Sequence, residues 1–87
     1  MTIDYRKDSE LLKAMGHPVR LEILKRLKMN ECCVNKLTDL IGVPQSTISQ
    51  HLGRLRSAGI LEPQKEGVKT CYRIIEPRVK MILRLLG

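Results

Sequence analysis

Phenylalanine and tryptophan are absent from this chain, and two tyrosines are its only aromatic residues apart from histidine. Its core must therefore be aliphatic, and stacking of single-stranded bases on aromatic platforms is disfavoured as a mode of action. No apolar run approaches the ~20 residues of a membrane-spanning helix, and no N-terminal secretion signal is visible, so no membrane partner is expected and a cytoplasmic location is the default. Acidic residues are scarce: 9 Asp and Glu stand against 16 Lys and Arg, a formal net charge of +7. That balance favours a polyanionic partner. The basic residues are spread through helical and loop segments, unlike those of a disordered basic tail. No nucleophile has a base at motif spacing, and there is neither a phosphate-binding glycine loop nor a paired acid site. No catalytic residue is assigned, and an enzyme is not expected.

At 87 residues the chain is read as one domain, 1–87. So short a chain buries only roughly 60 to 65% of its unfolded surface, so a partner subunit is expected to supplement its core. Asp8 and Ser9 can cap a first helix bearing Leu11, Leu12 and Met15, which Gly16 ends. Pro18 suits the first turn of a second helix, with Val19, Ile23, Leu24 and Leu27 at helical spacing and Asn30 placed to close it. A third helix reads from about Val34 to Ile41, and Gly42 stops it before Val43 and Pro44 begin a fourth. So short a link makes a helix-turn-helix. The segment ILEPQKEGVKTCYRII then alternates, with Val68, Thr70, Tyr72 and Ile74 on one side and Cys71, Arg73 and Ile75 on the other. It predicts a hairpin turning near Glu66 and Gly67, whose first strand Pro63 puts at an edge or a bulge. A fifth helix follows Pro77, with Val79, Ile82, Leu83 and Leu86 at i, i+3, i+4 and i+7. The fold class is mainly α with a small β-hairpin, in the order α-α-α-α-β-β-α: a winged helix-turn-helix. The first and last helices carry more apolar surface than a small core absorbs, which predicts a two-fold homodimer through Leu11, Leu12, Met15, Val79, Ile82, Leu83 and Leu86.

The fourth helix, in PQSTISQHLGRLRSAGIL, has an unusual exposed face. At about 100° per residue, Ile48, Leu52 and Leu55 share one narrow sector, with Ala58 at its margin. Ser46, Gln50, Gly53 and Ser57 point nearly opposite, flanked by Ser49, Thr47 and Arg54, and no carboxylate joins them. Ser and Thr lower helix propensity by competing for backbone hydrogen bonds, so a merely solvated face is better made of Lys, Glu, Gln and Arg. A major groove accounts for the choice: short hydroxyls allow close approach, and Gln can bond adenine in bidentate fashion. The base-edge candidates are Gln45, Ser46, Ser49 and Gln50, near the helix N-terminus. Thr47, Arg54 and Arg56 suit phosphates, as do Lys65 and Lys69 of the hairpin. His51 falls nearer the apolar sector and reads as a half-buried packing residue. His17, between Gly16 and Pro18, reads as part of a helix junction.

The segments LLKAMGHPVRLEILKRL, CVNKLTDLIGVPQSTISQHLGRLRSAGIL and EGVKTCYRI resemble those of the arsenic- and metal-sensing (ArsR-type) family of winged-helix repressors. The likeness runs over about residues 9 to 75. It implies a homodimer built on the first and last helices, repression by operator binding, release by an inducer or by thiol modification, and DNA contacts at Gln45, Ser46, Ser49 and Gln50. Two metal-site recipes of that family come up short. The last helix has no His and only Glu76 at its start, and the Cys-x-Cys of the third helix is matched at Cys33 but has Asn35 at its second position. One thiolate does not make a tetrahedral zinc site.

Three cysteines, Cys32, Cys33 and Cys71, argue against a disulfide framework in an intracellular chain. In winged-helix folds the segment before the third helix pairs with the second wing strand, which would bring Cys71 toward Cys32 or Cys33. Such thiols could hold trivalent arsenic or another thiophilic metal, or form a reversible disulfide. Equally, Cys is a small hydrophobe, and Cys71 reads first as packing. The leading expectation is a repressor of double-stranded DNA. A repressor without a small-molecule inducer, and a winged-helix module that binds protein, remain the alternatives.

Overall fold

Asp4 opens the first helix. In this computed structural model, which describes residues 2–29 and 33–87 with the backbone alone at Glu66, the Asp4 carboxylate accepts the Lys7 N–H at 3.0 Å. Asp8 in turn accepts the Asp4 N–H at 3.0 Å. This reciprocal cap satisfies donors that the first turn otherwise leaves open, and α1 spans Tyr5–Met15. The helix therefore starts a turn earlier than the Asp8 and Ser9 start expected from the apolar spacing. Asp8 lies inside it, and its other oxygen accepts Arg78 Nη1 at 2.8 Å.

The element order is the expected one: α1, α2 (Pro18–Lys28), α3 (Val34–Ile41), α4 (Gln45–Ser57), β1 (Leu61–Glu66), β2 (Lys69–Ile74) and α5 (Pro77–Leu86). Pro18 and Pro77 occupy first helical turns, where no N–H is needed. Met29 caps α2, and Asn30, expected in that role, lies outside the described residues. Gly42 ends α3 in the left-handed conformation, at φ +79°, where a side chain would be strained. The link from α3 to α4 is thus three residues long, Gly42 to Pro44.

The hairpin pairs Leu61 with Ile74 through to Glu66 with Lys69, antiparallel and in unbroken register. Pro63, opposite Tyr72, therefore sits in a regular edge strand, without a bulge. Gly67 and Val68 make the turn, Gly67 at φ +65°. Alternation along β2 does not translate into alternating burial. Cys71 and Ile74 are buried, whereas Lys69, Thr70 and Val68 project past the body of the domain.

One aliphatic core joins every helix to the hairpin. Ile23 and Leu24 of α2, Leu37 of α3, Ile48, Leu52 and Leu55 of α4, Ile60, Leu61 and Val79 are all sealed within it. Leu11, Met15 and Leu83 also belong to that core. Replacement of Leu55 by Ala leaves a cavity where α4 meets its supports. It is expected to lower the unfolding free energy by about 2 to 5 kcal/mol, whereas Val68→Ala at the wing tip should change it by less than about 0.5 kcal/mol. Urea unfolding at one fixed protomer concentration checks both values.

Candidate nucleic-acid interface

The packing of α4 decides which of its residues reach solvent. Ile48, Leu52 and Leu55 are 0 to 1% exposed, so the opposite face is turned outward. Gln45, Ser46, Ser49 and Gln50 are all exposed there, with Gly53, Arg56 and Ser57 beyond them. Thr47 and Arg54 are partly covered. No acidic residue occurs between Asp39 and Glu62, so α4 itself contributes no carboxylate to its outward face. No side chain caps the helix N-terminus, which follows Pro44 directly. The positive end of the helix dipole thus lies beside Gln45 and Ser46.

Across from this face stands the wing. Exposed Lys65 and Lys69 lie near its tip. Between α3, the start of α4 and β2 runs an open groove of about 770 Å³, lined among others by Cys33, Lys36, Gln45, Ser49, Lys69 and Thr70. Two of the four base-edge candidates and one wing lysine therefore face a single concavity. Asp39 is an acidic residue on its wall.

Arg54, expected at a phosphate, is engaged within the protein. Its Nη2 lies 3.3 Å from Glu10 Oε2 of α1. Both partners are substantially exposed, so the pair is weak and open to competition from a phosphate. Arg56 is exposed. Sequence reasoning missed this long-range pair, because nothing in the local spacing of α4 points to α1.

A second cluster is hidden from the sequence for the same reason. His17 caps α2, its Nδ1 accepting the Val19 N–H at 3.1 Å, which places it at the helix junction as expected. Its ring stands 4.5 Å from that of His51 on α4. Arg20 of α2 is held by the Ala14 carbonyl at 2.6 Å and reaches His51 Nδ1 at 3.2 Å. A guanidinium can only donate, so His51 Nδ1 accepts and its proton sits on Nε2. Partial burial, then the neighbouring His17 and Arg20 charges, hold the His51 pKa below its ordinary value. His51 is a half-buried seat for α4.

The cysteines meet across the sheet. The backbone of Cys33, the residue before α3, forms an antiparallel bridge with Cys71 of β2, and the two sulfurs are 3.3 Å apart. Cys33 is partly exposed, and Cys71 is only 3% exposed. A disulfide requires the sulfurs to close by roughly 1.3 Å. Cys32 lies outside the described residues. Among the described residues, no group of three His, Cys, Asp or Glu side chains is placed to hold a metal. Two thiols suit a thiophilic ion better than a tetrahedral zinc ion.

The seven residues expected at a dimer face fall into two sets. Leu11, Met15, Val79 and Leu83 are consumed by the protomer's own core, while Leu12 and Leu86 are exposed and Ile82 is half-buried. Ile3, Tyr5, Met81 and Leu85, which the helical periodicity did not single out, add exposed apolar surface on or beside the same two helices.

Comparison with known proteins places this geometry. Residues 17–62, from the His17 cap to the start of β1, match the sequence profile of the arsR family of bacterial regulatory proteins. The chain belongs to the ArsR family. An uncharacterised HTH-type transcriptional regulator of Methanocaldococcus jannaschii is 47% identical over 83 residues, covering 94% of this chain and 93% of that protein. The transcriptional repressor PagR of Bacillus anthracis is 39% identical over 81 residues, 92% of this chain and 81% of PagR. The structure of HlyU from Vibrio cholerae superposes with a TM-score of 0.89 at 37% identity, over 99% of this chain and 94% of that one. This ArsR-family protein is thus a winged-helix DNA-binding transcriptional regulator, and its relatives' names denote no class of enzyme. No helix among its described residues is long and apolar enough to cross a membrane.

The histidine seat carries a pH signature. The unfolded chain takes up a proton at His51 near its ordinary pKa of 6.5, whereas the folded chain does so at lower pH. The protein should therefore lose stability as pH falls below about 6.5, and His51→Gln should flatten that loss. Thermal unfolding between pH 7.5 and 5 measures it, and equal slopes for the two proteins would rule His51 out as a cause.

Proposed function

We propose that this protein is a cytoplasmic repressor that binds double-stranded operator DNA as a homodimer. The observation that carries the reading is the two-faced α4: a sealed apolar side fixes the helix, and a side of Ser, Thr and Gln without any carboxylate is presented beside a basic wing. Gln45, Ser46, Ser49 and Gln50 read base edges in the major groove. Thr47, Arg56, Lys65 and Lys69 bind backbone phosphates, and Arg54 joins them by exchanging Glu10 for a phosphate oxygen. Relatives described as transcriptional repressors support the sign of regulation, although HlyU of Vibrio cholerae is described as an activator.

The second copy packs through α1 and α5, where Leu12, Met81, Leu85 and Leu86 leave apolar surface exposed. Two-fold pairing sets the two α4 helices in successive major grooves, about 34 to 36 Å apart, on a pseudo-palindromic site. Release follows from chemistry at Cys33 and Cys71: a disulfide, or trivalent arsenic or another thiophilic metal held by these thiolates. Either would tie the residue before α3 to the wing. An effector of this kind acts only if it favours the DNA-incompetent dimer.

Selection of bound fragments from the source genome gives the operator. On that site Gln50→Ala should cost ~1 to 3 kcal/mol and relax preference at one base position; unchanged affinity and preference would remove Gln50 as a reader. The dimer face has its own test. Met81→Glu should shift sedimentation from dimer to monomer while leaving the helical signal of the protomer intact. A variant that remains dimeric puts the interface elsewhere.

A further inference from the structure

Arg20 of α2 is held on three sides. Its Nε donates to the Ala14 carbonyl at 2.6 Å and its Nη2 to the Lys13 carbonyl at 3.4 Å, both in the last turn of α1. Its Nη1 donates to His51 Nδ1 of α4 at 3.2 Å. The carbonyl end of a helix carries the negative pole of its dipole, so a cation is favoured there. The guanidinium is planar and holds its donors in a fixed fork. One rigid group therefore spans from the end of α1 to the middle of α4.

Helices α1 and α4 are also tied at Glu10 and Arg54, 3.3 Å apart. That pair is exposed, and a phosphate competes for its arginine. The Arg20 bridge differs in position. Arg20 and His51 are both half-buried, and His51 lies beside the buried side of α4, off the exposed face of Gln45, Ser46, Ser49 and Gln50. A duplex docked on that face leaves the bridge in place.

We propose that Arg20 is a positioning residue for operator recognition: by bridging α1 to α4 it fixes α4 relative to the two-fold axis and sets the half-site spacing that the dimer accepts. This deepens the reading of the protein as a homodimeric operator binder and rests on it. In that reading α1 packs against the second copy and α4 reads the DNA, so a link between them translates the dimer interface into a distance between reading heads. Burial of Ile48, Leu52 and Leu55 sets which face of α4 points outward, but apolar attraction is non-directional. The fork adds a directional link to α1. Side chains that read a ligand need such support to within about 0.5 Å. Moving a half-site by one base pair shifts it about 3.4 Å along the duplex and turns it by about 35°. A dimer whose α4 helices are held to α1 loses base contacts at one half-site through that change. One whose α4 rests on apolar packing alone follows it in part.

The test uses the full chain and the selected operator, with duplexes whose half-sites are moved one base pair closer together or farther apart. Fluorescence anisotropy gives each protein's affinity for the three. The wild type should prefer the native spacing by about tenfold or more. Arg20→Met keeps an apolar stem without the fork and should reduce the preference to about threefold or less. His51→Leu removes only the α4 end of the bridge and leaves Arg20 bonded to α1, and it should do the same. His51→Gln, whose side-chain oxygen accepts from a guanidinium, should keep the wild-type preference. A residue that only stabilises the fold changes the fraction of active protein, which scales all three affinities together and leaves their ratio unmoved. Should Arg20→Met not fold, the ratio in His51→Leu decides. A wild-type ratio in His51→Leu, or a ratio lost equally in His51→Gln, would overturn the proposal. So would a wild type that binds all three spacings equally, although the operator-binding reading would stand. A wild type that binds none of the duplexes would remove that reading and this inference with it.

Discussion

Burial of Ile48, Leu52 and Leu55 is the constraint on which the rest of the structure turns. These three side chains clamp α4 against the other helices and the base of the hairpin, and in doing so they fix its rotation about its own axis. Once that rotation is set, Gln45, Ser46, Ser49 and Gln50 have nowhere to point but outward. The weak helix formers on that face are tolerated only because the buried side holds the helix in place. In the proposed function the apolar side decides the aim, and the polar side is what the helix offers to DNA.

The second organising contact is the Cys33–Cys71 bridge. It joins the residue before α3 to β2, so the helix-turn-helix and the wing are not independent. A chemical change at these thiols acts where α3, α4 and the wing share a groove. The Arg20–His51–His17 cluster ties the same helix to the α1–α2 junction from another side. Glu10 adds a third tether through Arg54. Helix α4 is therefore seated by apolar packing and trimmed by two polar contacts of its own, at His51 and at Arg54, of kinds that pH or a phosphate can alter.

Much of this is legible in the sequence, because its signals are local. Helical spacing, first-turn prolines, Gly42 and the turn at Gly67 each act within a few residues, and together they fix element order and the outward face of α4. Spacing misplaces the start of α1 because the first apolar core residue there is Leu11: periodicity is silent over Tyr5 to Glu10, where the capping exchange between Asp4 and Asp8 decides. Leu11, Met15, Val79 and Leu83 look available to a partner because spacing identifies an apolar face without saying what covers it. The meeting of Cys33 with Cys71 could be anticipated from topology. The pairing of Arg54 with Glu10 could not, since it depends on where two helices cross.

Binding of a polyanion by the α4 face and the wing is the central claim, and salt reports it most directly. Operator affinity should be measured by anisotropy from ~50 to ~200 mM salt for the wild-type protein and for Lys65→Ala/Lys69→Ala. Counterion release predicts a linear fall of log affinity with log salt, steep for the wild type and shallower by about 0.9 for each phosphate that the variant no longer neutralises. Affinity indifferent to salt, or a slope unmoved when both wing lysines are removed, would contradict the docking surface described above.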